Sequence, residues 1–220
     1  MFSWLFSSIG KKYVMAATGF FLISFLIVHC GINSMIYFND GGETFLHYAH
    51  IMGTNLIIHF LEAGLFAGII LHIGQGLYLY FQNRKARPVA YAKTDGAANS
   101  NWYSRSMTLL GTLILFFLII HLADFWAPNR SAYYFGDGER DLFQMMRDEF
   151  QELWVVLVYI AGCISLAWHL VHGFKSAFQS FGLNHTQYNA IILYSGYTFS
   201  VVITLLFISM PLSFYFGLIQ

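Results

Sequence analysis

The chain has 220 residues, of which 57% are apolar and only 10% are charged, and its mean hydropathy is +0.57. Soluble domains carry about a quarter of charged residues, so this composition predicts a protein whose solvent is lipid. The formal net charge is zero, which gives no reason to expect a nucleic-acid partner. Cys30 and Cys163 both lie within apolar runs, so a disulfide framework is not expected.

Five segments are long and apolar enough to cross the hydrocarbon core of a membrane, which takes about 20 helical residues. In chain order they are 15–36, 55–81, 106–126, 153–174 and 190–217. Each is predicted to be helical, because lipid offers the backbone no other partners and the runs lack the alternation of barrel strands. We therefore expect an all-α integral membrane protein with one domain over residues 1–220. The second and fourth helices are expected to continue past Phe81 and Lys175.

The loops between these spans differ in charge. The N-terminus and the second and fourth loops hold Lys11, Lys12, Arg84, Lys85, Arg87, Lys93, Arg105 and Lys175, opposed by Asp95 alone. The first and third loops hold Asp40, Glu43, Asp137, Glu139, Asp141, Asp148, Glu149 and Glu152, against Arg130, Arg140 and Arg147. Because basic loops stay on the cytoplasmic side, the N-terminus is predicted to lie inside and the C-terminus outside. The charged segment 128–151 is expected to include an amphipathic helix on the outer surface.

Four of the nine histidines lie in the later halves of the first four spans: His29, His72, His121 and His169. Ionisable groups at such depth are costly and usually face a partner inside the protein. Because successive spans run in opposite directions, the first and third of these histidines are expected near the outer face. The second and fourth are expected near the inner face, roughly 10–20 Å away. A lone membrane histidine is more often a hydrogen-bonding residue, but two matched pairs favour two bis-histidine haems in a four-helix bundle.

An internal repeat supports this pairing. Met15, Gly19 and the run Phe-Leu-Ile-Val-His at 25–29 recur at identical offsets as Met107, Gly111 and the run Phe-Leu-Ile-Ile-His at 117–121. Methionine, glycine and histidine in common register are less easily explained by an apolar composition than leucine or isoleucine matches. The repeat therefore supports equivalent roles for the first and third spans, each of which supplies one histidine of the outer pair.

The second and fourth spans share a different pattern, in which a glycine follows the histidine by four residues. These glycines are Gly76 and Gly173. They lie one turn further along the same helix face, where a residue without a side chain lets a porphyrin plane approach the backbone. The pattern favours His169 over its neighbour His172, which has no glycine at that offset.

Three further residues are candidates for proton exchange with a quinone at the outer end. His59 and Glu62 are one turn apart in the second span, and Asp124 follows His121 by about one turn. The simpler interpretation of His59 and Glu62 is an interfacial hydrogen-bonded pair; the functional one is a relay, since quinone reduction consumes protons. The alternative is a quinone site at the inner face, lined by residues such as Ser24, Arg105 or Lys175.

These motifs resemble the di-haem cytochrome b subunit of succinate:quinone oxidoreductases, the five-helix, single-anchor type that includes menaquinol:fumarate reductases. The resemblance covers the first four helices, in the motifs Leu26-Ile-Val-His29, Leu71-His72 with Gly76-Leu-Tyr78, Ile120-His121 and Trp168-His169 with Gly173. It implies a distal haem b on the outer pair of histidines and a proximal haem b on the inner pair. It also implies a bacterial cytoplasmic membrane and the electron-transfer role of respiratory complex II in the tricarboxylic acid cycle.

The resemblance further implies a flavoprotein and an iron–sulfur subunit on the cytoplasmic face, docked in part on residues 82–100, and menaquinone as the commoner partner. One departure is Ala167, where some fumarate-reducing members carry a glutamate for transmembrane proton transfer. That proton pathway is therefore not expected here. Two other classes remain open: the di-haem cytochrome b anchor of a hydrogenase or formate dehydrogenase, and a haem-free transporter or structural anchor.

Overall fold

The computed structural model describes residues 7–86, 102–136, 138–183 and 185–219, and the regular elements in these ranges are all helical. They follow one another as α1 (Ser8–Asn33), a 3₁₀ turn (Ser34–Phe38), α2 (Glu43–Thr54), α3 (Leu56–Lys85), α4 (Trp102–Arg105), α5 (Met107–His121), a π-helical segment (Leu122–Trp126), α6 (Ala127–Phe135), α7 (Leu142–Glu149), α8 (Leu153–Ser180) and α9 (Asn189–Tyr215). Most of the predicted docking segment 82–100 lies outside the described residues, from Arg87 onward, as does Asp137.

Within the described residues, five helical stretches are long and apolar enough to cross a membrane: Ser8–Phe38, Leu56–Lys85, Met107–Phe135, Leu153–Ser180 and Asn189–Tyr215. The predicted all-α class with five membrane-spanning helices is therefore confirmed. The expected extensions past Phe81 and Lys175 are also present. Large apolar side chains on these helices are widely exposed, for example Phe60 at 73% and Ile70 at 68%. Such a surface is unfavourable in water and matches lipid.

Several helices begin at polar side chains that satisfy the first free N–H groups. Ser7 accepts a hydrogen bond of 3.0 Å from Gly10 N, Asn55 accepts one of 2.9 Å from Ile57 N, and Asp141 accepts one of 2.8 Å from Gln144 N. Before α2, the carboxylate of Asp40 accepts bonds from Gly42 N and Thr44 N, 3.1 and 3.0 Å long. These caps set where α1, α2, α3 and α7 start.

The first and third connections between the spans contain helices, and the end of the third span differs from the prediction. The connection between the first two spans contains the helix α2, which carries His47 and His50. The third span does not end near Trp126, because the π-helical segment leads directly into α6. Pro128 falls in the first turn of α6, where a residue without an N–H is tolerated, so it does not stop the helix.

The amphipathic helix predicted in the third loop is α7. It buries Phe143 and Met146, while its other positions are exposed or half-buried. Phe143 packs edge-on against Phe214 of α9, with ring centres 5.4 Å apart. The helix is therefore held to the bundle by one apolar face.

Helix α8 is central to the bundle, since it packs against α1, α5 and α9, while α1 also packs against α3. A buried apolar cluster lies where α7 meets the start of α8 and the end of α9, and includes Val155, Val156, Tyr159, Met210 and Phe214. This arrangement brings the faces of α1, α3, α5 and α8 that carry the four predicted histidines into one bundle.

Candidate functional site

The four membrane histidines lie in two close pairs. The ring centres of His29 and His121 are 5.8 Å apart with an interplanar angle of 85°. Those of His72 and His169 are 6.1 Å apart with an angle of 68°. The pairing predicted from depth is therefore present in the structure, and it joins α1 to α5 and α3 to α8.

These separations fit two imidazoles that share one metal ion. With a metal–nitrogen bond of about 2 Å and the ring centre about 1 Å behind the nitrogen, trans imidazoles have centres about 6 Å apart. The Nδ1 atoms of His121 and His169 are buried and have no hydrogen-bond partner among the described residues. All four histidines nevertheless keep part of their surface accessible, although they lie within the membrane-spanning stretches. The donor set suits a b-type haem at each pair.

In the outer pair, each imidazole is supported by the phenylalanine four residues before it. Phe25 stacks on His29 with ring centres 5.1 Å apart, and Phe117 stacks on His121 at 5.7 Å. The repeated Phe-x-x-x-His run thus places a ring against each imidazole, as i and i+4 side chains share a helix face. These contacts restrict the rotation of the imidazoles.

The position of Phe117 depends on a glycine in the facing helix. A Cβ placed on Gly162 of α8 would lie 2.5 Å from Phe117 Cγ, closer than two carbon atoms can approach. Only glycine therefore lets α5 and α8 meet at this point. The sequence did not single out Gly162, because close helix packing is the ordinary use of the many glycines in membrane helices.

The repeated glycines of α1 and α5 face the inner pair. A Cβ on Gly19 would lie 3.7 Å from His72 Cε1, and one on Gly111 would lie 3.8 Å from His169 Cε1. Each copy of the repeat therefore supplies a histidine to the outer pair and a glycine beside an inner imidazole. The repeated residues therefore contribute to the surroundings of both histidine pairs and not of the outer pair alone.

The glycines that follow the inner histidines have different surroundings. A Cβ on Gly173 would meet nothing within 4 Å, and one on Gly76 would only touch the terminal methyl group of Met15, at 3.8 Å. The backbone is thus open beside Gly173, as the porphyrin hypothesis requires. His172 lies beside Tyr103, with ring centres 6.4 Å apart, whereas His169 is the ring that faces His72.

The carboxylate of Glu62 belongs to a polar cluster that the sequence did not predict. Arg130 donates from Nη2 to Glu62 Oε2 at 2.7 Å and from Nε to Oε1 at 3.0 Å, and Trp126 Nε1 donates to Oε1 at 2.6 Å. Arg130 also donates to Gly53 O at 2.8 Å, at the C-terminal end of α2. Its side chain is only 12% exposed. This cluster ties α2, α3 and α6 together.

His59 joins the same cluster, and Asp124 does not. His59 Nε2 lies 2.7 Å from Gly53 O and 3.5 Å from Arg130 Nη1. Asp124 instead accepts a hydrogen bond of 2.8 Å from the Tyr159 hydroxyl, near His121. The three predicted proton-exchanging residues are thus divided between two places, and the described contacts do not join them.

The inner-face alternative consists of residues with separate surroundings. Ser24 donates to Phe20 O of its own helix at 3.0 Å, and Lys175 is exposed. Ser24 and Lys175 form no hydrogen bond with each other. An inner site would therefore need a contribution from outside these two side chains.

Arg130 and Tyr159 escaped the sequence analysis for different reasons. Arg130 lies in the charged segment 128–151, which follows the apolar run of the predicted third span, so the sequence places it in a loop. The sequence does contain a signal for this ion pair: Arg130 has the charge opposite to that of Glu62, and both residues are expected toward the same end of the helices. Tyr159 is one of 14 tyrosines, and nothing in its neighbourhood distinguishes it.

No protein-family model matches this chain, and comparisons with curated proteins and with solved structures find no match either.

Proposed function

We propose that the chain is the membrane-anchor cytochrome b subunit of a succinate:quinone oxidoreductase. In this role it passes electrons between a cytoplasmic iron–sulfur subunit and membrane quinone through two bis-histidine b haems. The observation that carries the proposal is the double ring pairing, His29 with His121 and His72 with His169. Two such pairs on four helices are difficult to explain by hydrogen bonding alone, because the paired rings form no hydrogen bond with each other.

The chain's own residues supply the binding and the orientation. His29 and His121 would hold the outer haem, and His72 and His169 the inner one. When bound, haem b supplies reversible one-electron chemistry, whose potential depends on the axial ligands, on their hydrogen bonds and on burial. The stacked rings of Phe25 and Phe117 restrict the rotation of the outer imidazoles and place apolar groups beside them.

The charge of the loops supports the side of the membrane on which the proposed partners would bind. The basic residues of the N-terminus and of the second and fourth loops favour a cytoplasmic position for the N-terminus and the inner histidine pair. A flavoprotein and an iron–sulfur subunit would dock on that side. The quinone, with menaquinone as the expected type, would then exchange electrons and protons near the outer pair. His59, Glu62 and Asp124 are the proton-exchanging groups on that side.

Haem content tests the proposal directly. The chain should be purified with its native partners and analysed as the pyridine haemochrome, together with a reduced-minus-oxidised spectrum. Two b-type haems per chain are expected, and haem c is excluded because the sequence has no Cys-x-x-Cys-His. One haem or none would contradict the proposal.

The co-purifying subunits identify the enzyme. A flavoprotein with succinate:dye activity supports the succinate:quinone oxidoreductase assignment. If a hydrogenase or formate dehydrogenase subunit co-purified and two haems were present, the chain would still be a di-haem cytochrome b. It would then be the anchor of that enzyme and not of a succinate:quinone oxidoreductase. A haem-free preparation would return the chain to the class of transporters or structural anchors.

A further inference from the structure

One imidazole of the inner pair has a hydroxyl group as a neighbour. Thr18 Oγ1 of α1 lies 3.0 Å from His72 Nδ1 of α3. The same oxygen lies 2.8 Å from Val14 O and 3.1 Å from Met15 O of its own helix. Three polar atoms therefore surround a hydroxyl that carries a single proton.

The two carbonyl groups decide which way this hydroxyl points. A carbonyl oxygen only accepts, so the Thr18 proton is directed at Val14 O and Met15 O, the usual back-bonding of a helical threonine. The Thr18 oxygen is then left to accept from His72. Nδ1 of His72 must carry a proton to donate it, which assigns the neutral tautomer whose free lone pair is on Nε2. That is the nitrogen a haem iron would take.

The other half of the bundle lacks this contact. The repeat that aligns Gly19 with Gly111 aligns Thr18 with Leu110, which is buried and has no polar atom to offer. Accordingly, Nδ1 of His169 has no hydrogen-bond partner among the described residues. The two imidazoles of the inner pair therefore differ: His72 has a fixed tautomer and His169 does not.

We propose that Thr18 is a positioning residue that fixes the Nε2-coordinating tautomer of His72 and lowers the reduction potential of the inner haem. This inference rests on the proposed function. A hydrogen bond accepted from Nδ1–H makes the imidazole a stronger donor through Nε2 and favours the oxidised iron. Loss of a hydrogen bond to a metal-binding imidazole typically lowers the affinity of the site for its metal about 10- to 100-fold.

The test uses the purified complex, with haem content and the midpoint potential of each haem as readouts. Thr18→Val removes the hydroxyl and keeps the shape of the side chain. It should shift the inner haem to a more positive potential and weaken its retention about 10- to 100-fold, with the outer haem unchanged. Thr18→Ser, which keeps the hydroxyl, should restore both values. Thr18→Ala should reproduce the effect of Thr18→Val if the valine variant does not assemble.

Thr112→Val is the matched control. The Thr112 hydroxyl lies on α5, next to Gly111, and donates to Thr108 O at 2.8 Å within its own helix. Its removal should leave both haems at the wild-type potentials. An inner haem unaffected by Thr18→Val, or equally shifted by Thr112→Val, would overturn the role of Thr18 alone. A wild-type complex with fewer than two haems would overturn the proposed function and this inference together.

Discussion

The Tyr159 hydroxyl donates a hydrogen bond of 2.8 Å to Asp124, across the contact between α8 and the π-helical segment. Tyr159 is only 5% exposed, and its ring also lies edge-on to His121 with centres 5.9 Å apart. The bond therefore holds the π-helical segment of the third span to α8, next to the His29–His121 pair. Short π-helical segments are often found at functional sites, and here the segment begins directly after His121.

Removal of this hydrogen bond should destabilise the part of the bundle around the outer histidine pair. Tyr159→Phe leaves the Asp124 carboxylate without its donor, at an expected cost of about 1–3 kcal/mol in stability. The outer haem should be lost earlier on heating than the inner one. Asp124→Asn keeps an acceptor oxygen and should be milder. Thermal denaturation followed by haem absorbance measures both effects, and identical melting of Tyr159→Phe and wild type would refute this role.

The ligand assignment predicts a separate outcome for each pair. His72→Ala or His169→Ala should remove the inner haem and leave the outer one, while His29→Ala or His121→Ala should do the reverse. His172→Ala is the control and should keep both haems, since its ring faces Tyr103. Haem quantification with low-temperature spectra measures the result. Loss of a haem in His172→Ala but not in His169→Ala would show that the glycine offset identified the wrong residue.

Gly173 offers a test of where the porphyrin lies. Gly173→Ala adds a methyl group that meets no protein atom within 4 Å, so the polypeptide should tolerate it. A porphyrin against that face would be displaced, and the inner haem should then be depleted or shifted in its spectrum. Gly74→Ala, also with nothing within 4 Å, is the matched control on α3. A full inner haem with an unaltered spectrum in Gly173→Ala would place the porphyrin elsewhere.

Glu62 is expected to serve quinone turnover. Glu62→Gln should preserve both haems and succinate oxidation with an artificial dye, and slow turnover with quinone by at least about tenfold, the scale for losing an acid–base group. Because Glu62 is ion-paired with Arg130, the same change also breaks a half-buried pair. Glu62→Asp, which keeps the carboxylate, separates the two effects and should retain most of the quinone activity.

Arg130→Gln completes the Glu62 experiment. Equal losses of quinone turnover and of thermal stability in Glu62→Gln and Arg130→Gln would assign Glu62 to the structural clamp. Full quinone activity in the Glu62, His59 and Asp124 variants alike would exclude the outer site. The result would then favour the alternative quinone site at the inner face, around Ser24, Arg105 and Lys175.

Glu149 at the end of α7 predicts a pH dependence. Partial burial, together with the carboxylates of Asp124 and Asp148, raises the pKa of Glu149. A carboxyl group that ionises less readily in the folded than in the unfolded chain lowers stability as pH rises above the unfolded value. Glu149→Gln should therefore raise the melting temperature by about 2 °C or less near pH 8, and by nothing near pH 4. An equal shift at both pH values would contradict this origin.

The amino-acid sequence by itself determined the membrane class, the five spans and the pairing of the histidines. Hydropathy and length are sufficient for spans, because lipid forces an apolar segment to satisfy its own backbone. Alternating direction then places His29 beside His121 in depth, and His72 beside His169, without knowledge of any contact. The third span was predicted too short, because its apolar run ends near Trp126 while the helix continues through polar residues to Phe135.

The tertiary structure alone decided which side chains surround each imidazole. Whether Thr18 faces His72, Phe117 packs on Gly162 or Arg130 reaches Glu62 depends on how far each helix is rotated about its axis and how closely two helices approach. Hydropathy is nearly uniform around these helices, because lipid and the bundle interior are both apolar, so it carries little information about rotation. Only the packed bundle sets those angles, and with them the hydrogen bonds that distinguish one histidine from another.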